Sequence, residues 1–225
     1  IAPHTNRKAP YDSVKDFASI WAVNSSGLVV VVNPSLPIAT LAALVRHARE
    51  HPGQLSFASS GHGTTQHLAG ELFMTRAGVR LVHVPYRGGF AGMTDLMAGH
   101  VQVMFDSIGN TLPNIRAGKL RALAVLRPRR SAQLPDLPTA VEAGVVGVDM
   151  VGWLGLFAPA GTPQAILDKV AGTLGPAMKN PETVRRLIEL GNDDDFLVGA
   201  ALGQRLAEDR KLFAEIVDKA GIEPQ

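Results

Sequence analysis

The apolar positions of the chain switch repeatedly between a period of two and a period near 3.6, and each switch is marked by proline, glycine or a small polar residue. Leu28 to Val32 is a continuous branched run that ends at Asn33 and Pro34, the signature of a strand covered on both faces. Beyond Pro37, Thr40 can cap a helix whose Leu41, Leu44, Val45 and Ala48 form one stripe, stopped by Pro52 and Gly53. Leu55 to Ala58 reads as the next strand. Ser59, Ser60, Gly61, His62 and Gly63 break it, and Thr64 and Thr65 open a helix carrying Leu68, Leu72 and Phe73 to an end near Gly78. Val79 to Val84 repeats the strand, and Pro85, Tyr86, Arg87, Gly88 and Gly89 repeat the turn. The helix of Phe90, Met93, Leu96 and Met97 follows and stops at Gly99. Val101 to Phe105 is a strand with Asp106 at its carboxyl end; a short helix over Thr111 to Ala117 and a strand over Leu120 to Leu126 complete the alternation. Such alternation predicts an α/β layer fold with a mostly parallel sheet.

The flanks are less regular. Ile1 to Ala9 is a polar lead-in, and Tyr11 to Phe17 predicts one helical turn on a loop. Arg127 to Asp136 is basic and proline-containing, as an exposed connection would be. Thr139 and Glu142 stand at capping-box spacing and predict a short helix. Met150 to Pro159 is extended and apolar, suited to a crossing between lobes. Thr162 and Pro163 take the cap and first-turn positions of a helix with the stripe Leu167, Val170, Leu174 and Met178, which Gly175 and Pro176 should kink or split. Asn180 and Pro181 open another helix, ending at Gly191. A last amphipathic helix places Leu202, Leu206, Phe213, Ile216 and Val217 on one face and ends near Gly221.

Composition narrows the function classes. With 225 residues the chain can bury a full core, and 46% hydrophobic against 19% charged residues is the balance of a folded globular protein. No apolar run approaches the roughly 18 residues of a membrane span. A formal net charge of +2 is too small for a nucleic-acid-binding stripe. The absence of cysteine removes disulfides, thiolate nucleophiles and cysteine-bound zinc. No cofactor motif is present: the glycines of Gly61-His62-Gly63 lack a third partner at dinucleotide spacing, and no G-K-[ST] follows any glycine loop. Nor is a metal site indicated, since the run Asn192, Asp193, Asp194, Asp195 lacks the glycine and distal glutamate of a calcium loop and reads as a solvated turn.

The two glycine turns carry the chemistry instead. A strand, glycine turn and helix N-terminus leave backbone N–H groups unpaired at the positive end of the helix dipole, where small residues let an anionic oxygen approach. Ser59, Ser60, Gly61 and Gly63, with Thr64 and Thr65 opening the helix behind them, form one such candidate seat, and Asp106 at a strand end can accept from a ligand or pin the adjacent turn. Each charge-assisted hydrogen bond there could contribute roughly 1.5 to 3 kcal/mol. The competing reading is a hydrolase using Ser59 or Ser60 with His67, although no G-x-S-x-G elbow supports it. A third is a dimerising fragment with no ligand.

Several blocks together resemble the substrate-binding receptors of the tripartite tricarboxylate transporter family, the Bug receptors: APYDSVKDF at Ala9 to Phe17, VVNPSLP at Val31 to Pro37, SFASSGHGTTQHLAGELF at Ser56 to Phe73, VHVPYRGGFAGMTDLMAGHVQVMFD at Val82 to Asp106, and WLGLFAPAGTP at Trp153 to Pro163. The resemblance implies a two-lobed fold like the type II periplasmic binding proteins, located in the periplasm, closing on a small carboxylate and delivering it to a membrane permease without chemistry. It assigns residues 1–22 to a lead-in from the first lobe, 23–152 to the second lobe, and 153–225 to a hinge strand and helices returning to the first, and it implies that Ser59 to Thr65 and His67 supply the second lobe's half of the carboxylate seat, flanked by Tyr86, Gly88 and Asp106. Family members carry, before the APYD-like block, P-F-x-P-G-G and N-R-P-G-A-G-G turns that do not occur here. The expectation is therefore a shortened receptor with an incomplete first lobe, weak or no binding, and association into a homodimer or by segment exchange.

Overall fold

The computed structural model describes residues 1–6, 8–193 and 196–223. Its elements run α1 (Ala2–Thr5), β1 (Phe17–Val32), α2 (Leu41–Glu50), β2 (Ser56–Ser59), α3 (Thr65–Ala77), β3 (Val82–Pro85), α4 (Gly89–Ala98) and β4 (Val103–Ser107). They continue with α5 (Ile108–Arg116), β5 (Arg121–Leu126), β6 (Val151–Pro159), α6 (Gln164–Met178), α7 (Pro181–Glu189) and α8 (Ala200–Ala220). The chain divides into two compact units, Gly27–Val151 and the combination of Ile1–Ser26 with Gly152–Gln225.

In the unit Gly27–Val151 the strand order is β3-β2-β4-β1-β5. β2 is parallel to β3 (Ser56 opposite Val82, Ser59 opposite Pro85) and to β4 (Phe57 opposite Val103). β1 is antiparallel to both of its neighbours here, with Leu28 opposite Ser107 on one side and Leu126 on the other. The sheet is thus mixed, where the hydrophobic pattern predicted a mostly parallel one. The pattern reports coverage and not direction: helices lie on both faces of this sheet, so a central strand is apolar at every position whichever way it runs. Val29 and Val31 join Ala58, Leu96, Met104 and Ile108 on one face. On the other, Phe105 meets the ring edge of Phe57 at 5.7 Å and Phe73 at 5.3 Å. Gly70 allows that close approach, because a Cβ there would collide with the Phe57 ring; a glycine inside a helix otherwise costs about 1 kcal/mol relative to alanine.

Local signals place most helix ends. Thr40 caps α2 by accepting the Ala43 N–H at 3.1 Å, and Gly78 and Gly99 close α3 and α4 in the left-handed conformation. The Val79 N–H is drawn into that closure by Met74 O, so β3 begins at Val82 and not at Val79. Ser107 caps α5, starting it at Ile108, three residues before Thr111. Thr139 and Glu142 make both reciprocal capping bonds, at 2.8 and 3.1 Å, yet they close a turn and no helix. In the basic connection Arg127 and Ser131 are buried and Gln133 and Leu134 half-buried, and the rest is exposed.

In the other unit the first part of β1 buries Ile20, Trp21 and Ala22, and β6 pairs with β1. Tyr11 to Asp16 makes one turn, closed by the Asp16 N–H on Asp12 O. The Trp153 indole N–H donates to Asp209 at 2.6 Å, Arg205 pairs with the same carboxylate, and Arg210 reaches Asp12 at 2.6 Å. α6 begins one residue later than its threonine suggests: Pro163 takes the cap position, and the Thr162 hydroxyl donates to Pro159 O. Pro176 does not split α6. It lies in the last turn, where its missing N–H removes one bond just before the helix ends, and Gly175 lets the helix backbone lie against the Trp21 ring. Asn180 caps α7 through the Glu182 N–H. Of the acidic run, Asp194 and Asp195 lie outside the described residues. No helix among the described residues is long and apolar enough to cross a membrane.

Candidate functional site

β2 and β3 run parallel and side by side, so both glycine turns emerge at the same carboxyl edge of the sheet, the edge at which open α/β sheets place ligands. The Tyr86 N–H donates to Ser59 O at 2.9 Å and locks the two turns together.

The first turn is largely closed upon itself. The Ser60 N–H donates to Gln66 Oε1 at 2.6 Å, the Gly61 N–H to Ser59 Oγ at 3.1 Å, and the Gly63 N–H to His67 Nδ1 at 3.1 Å. Thr64 caps α3 by accepting the His67 N–H at 3.4 Å, while its own hydroxyl donates to Gly61 O at 2.8 Å. Gly61 and Gly63 hold positive φ, at 130° and 69°, which the tight path requires. Among the described residues, the N–H groups of His62, Thr65 and Gln66 are left without a hydrogen bond. The sequence suggests that the whole turn offers donors; side chains of the turn and of the helix behind it have taken most of them.

The second turn is open. Gly88 stands at the N-cap of α4 with φ 104° and supplies no side-chain cap, so the N–H groups of Gly89, Phe90 and Ala91 have no partner among the described residues. Phe90 is 89% exposed beside them. Tyr86 does not present its hydroxyl to the seat: it donates to Asp95 Oδ2 at 2.7 Å, and burial followed by this bond pushes the phenol up to about 12. The same bond is the leading cause that holds Asp95 below the usual carboxylate range.

Gln66, which the sequence reading did not single out, joins the two turns to β4. With Oε1 committed to the Ser60 N–H, its amide nitrogen donates to Asp106. Asp106 also accepts from the Ser107 N–H at 2.7 Å and from Asn110 Nδ2 at 3.2 Å. With these three donors Asp106 ties β4 to the start of α5 and to Gln66 behind the first turn. Burial pushes its carboxyl above the ordinary value, and these three donors offset part of that rise. A Cβ at Gly89 would lie 3.3 Å from Gln66 Nε2, close enough to push the amide by a few tenths of an ångström. A glutamine two residues behind an N-cap threonine was the available signal, but only the strand order shows what it reaches.

Ser59, His67 and Asp106 do not assemble as a triad. Ser59 is fully buried and its Oγ lies 2.6 Å from Nε2 of His83, not of His67. His67 is committed to the Gly63 N–H and, through Nε2, to Glu71 at 3.5 Å. His67 and His83 stack at 3.8 Å with planes 10° apart, and the exposed His62 stands edge-on to both. Burial, then the neighbouring imidazoles of His67 and His62, pushes His83 down to about 3.

Glycine turns offering backbone amides at the carboxyl edge of parallel strands can hold a small anion by fixed dipoles, the arrangement of a binding site. The chain belongs to the tripartite tricarboxylate transporter receptor family, whose model matches residues 1–221. It is 40% identical over 185 residues to a UPF0065 protein encoded in the tcbD-tcbE intergenic region of Pseudomonas sp. strain P51, a match covering 82% of this chain and 55% of that relative. Among solved structures it is similar to the periplasmic binding protein BugD (TM-score 0.86, 30% identity, 100% of this chain and 76% of that one). It is also similar to Rpa4515 of R. palustris, solved with adipate (TM-score 0.83, 31% identity, 98% and 74%). The chain spans little more than half the length of the Pseudomonas relative.

Proposed function

We propose that the chain captures a small carboxylate, a di- or tricarboxylate, amino acid or aromatic acid, in the periplasm for the membrane permease of a tripartite tricarboxylate transporter. The observation that carries this reading is the pair of adjoining glycine turns whose unpaired amides converge at one sheet edge, in a family one of whose members was solved with adipate. Ser59, Ser60, Gly61, Gly63 and His67 shape the seat; Thr64 and Thr65 set the helix end that faces it; Tyr86, Gly88 and Asp106 fix its border.

Affinity through this seat alone is weak. Each amide to a carboxylate contributes roughly 1.5 to 3 kcal/mol before the cost of immobilising the ligand. Micromolar affinity needs about 8 kcal/mol, hard to reach from one exposed half-site. The exposed Leu154, Ile166 and Leu190 favour self-association of the chain as a homodimer or by segment exchange, which sedimentation at rising concentration detects as growth in mass.

Thermal unfolding against mono-, di- and tricarboxylates tests the reading. Stabilisation approaching about 2.7 kcal/mol is expected at a hundredfold excess over the dissociation constant, reached only at high ligand concentration. If no acid moves the transition, at any concentration up to its solubility, the assignment fails.

A further inference from the structure

We propose that His62, His67 and His83 together bind one divalent transition-metal ion. The proposal does not depend on carboxylate capture and concerns side chains, not the backbone amides of the seat. One nitrogen from each of the three imidazoles falls within 4.8 Å of the others. The grouping is made by tertiary structure: His62 lies in the first turn, His67 on the opening turn of α3, and His83 on β3, opposite Phe57 of β2.

The donor set is chemically coherent. Three imidazoles without a thiolate suit zinc, nickel or copper, and three protein nitrogens with an open fourth position is a familiar zinc arrangement. Nitrogens bound at about 2.0 to 2.1 Å on a tetrahedral ion stand about 3.4 Å apart, so no pair in the cluster has to close by more than about 1.4 Å. The freedom for that is visible. His62 is exposed and makes no hydrogen bond among the described residues, so its ring can turn inward without loss. His67 and His83 must splay from their stack, because parallel rings aim their lone pairs side by side and not at a common point. His67 already carries Glu71 at 3.5 Å from Nε2, the carboxylate partner that orients metal-bound imidazoles. The bond surrendered at His67 is then the one from the Gly63 N–H to Nδ1, while His83 keeps its 2.6 Å contact from Nε2 to Ser59 Oγ if it binds through Nδ1 and gives it up if it binds through Nε2. Phe57, stacked on His83 at 4.9 Å, closes the inner side of the cluster.

A competing site exists on α2, where His47 and His51 stack at 4.6 Å one turn apart and could chelate a metal on their own. The experiment therefore separates the two. The full chain, free of any histidine tag and of organic acids, is titrated calorimetrically with Zn²⁺ and Ni²⁺, beside His62→Ala and the double variant His47→Ala with His51→Ala. The expected result is one ion per chain, retained in the α2 variant. Since loss of even an outer partner weakens metal sites about 10- to 100-fold, His62→Ala should weaken binding at least about tenfold. His62 packs edge-on at the surface, so its removal leaves the fold intact, which the unfolding midpoint verifies. Absence of binding, binding unchanged by His62→Ala, or binding lost in the α2 variant would each overturn the proposal.

Discussion

The two glycine turns have the same design, strand to glycine to helix N-terminus, and lie side by side, yet they spend their backbone donors differently. From Ser60 to His67, the N–H groups of Ser60, Gly61, Gly63 and His67 are taken up by the side chains of Gln66, Ser59, His67 and Thr64. In the turn from Pro85 to Gly89 no side chain caps α4 and three first-turn amides remain unpaired. The lesson is that a helix N-terminus is a site only to the extent that its own sequence leaves it unsatisfied. Polar side chains within hydrogen-bond reach convert the first turn into scaffolding, whereas the glycines of the second cannot cap. The first turn holds its shape with side-chain acceptors and keeps the N–H groups of His62, Thr65 and Gln66 free; the second keeps those of Gly89, Phe90 and Ala91 free with no side chain competing for them.

The sharpest way to break this contrast is at Gln66. Gln66→Leu leaves the Ser60 N–H without its acceptor and Asp106 without a donor in a nearly solvent-free position, and should cost about 3 kcal/mol. Urea unfolding measures it, and a loss within about 0.5 kcal/mol would mean that the first turn does not rely on Gln66. Next is Gly88→Ala. No atom lies within 4 Å of the added methyl, so its cost of about 2 kcal/mol would come from backbone conformation alone, at φ 104° and ψ 153°. A neutral outcome in the same assay would show that the second turn relaxes freely. Thr64→Ala should cost about 1 kcal/mol, the usual value of an N-cap hydroxyl, and should loosen the first turn measurably in amide exchange at His67 while leaving Phe90 unchanged.

The smallest effect concerns pH. His83 has a folded-state pKa of about 3 against an ordinary 6.5, so between those values the unfolded chain binds the extra proton. Stability from this group is complete above about pH 6.5 and falls as pH falls toward 3. Asp106, raised by burial, acts in the opposite sense: its contribution is present below its ordinary value and is lost as pH rises through its folded one. In His83→Gln the decline of the unfolding midpoint from pH 6.5 downward should be shallower than in the parent chain. An identical slope would remove His83 from the acid response.

Most elements were legible in the sequence because their signals are local. Thr40, Thr64 and Asn180 cap helices, Gly78, Gly99 and Gly221 end them, and the Val29 to Val32 run is buried throughout. What went unread depended on neighbours far along the chain. The eleven residues of β1 ahead of Leu28 read poorly as a strand, with Ser25, Ser26 and Gly27 among them, because pairing and not propensity makes them extended. The capping box at Thr139 formed its bonds without a helix, since a cap satisfies donors but cannot supply the apolar face a helix needs.

The chain's own sequence determined that strands and helices alternate, and that two strands would run through glycine junctions into helix N-termini, with no cysteine and no nucleotide motif. Those properties follow from side-chain period, φ preference and capping, all set within a few residues. Only the tertiary structure decided the direction of β1 against its neighbours, the bridge from Ser60 through Gln66 to Asp106, and the meeting of His62, His67 and His83. Each of these joins residues on separate strands or helices. Period and propensity carry no information about which strand lies beside which; burial of both sheet faces and the parallel pairing of β2 with β3 fix that choice.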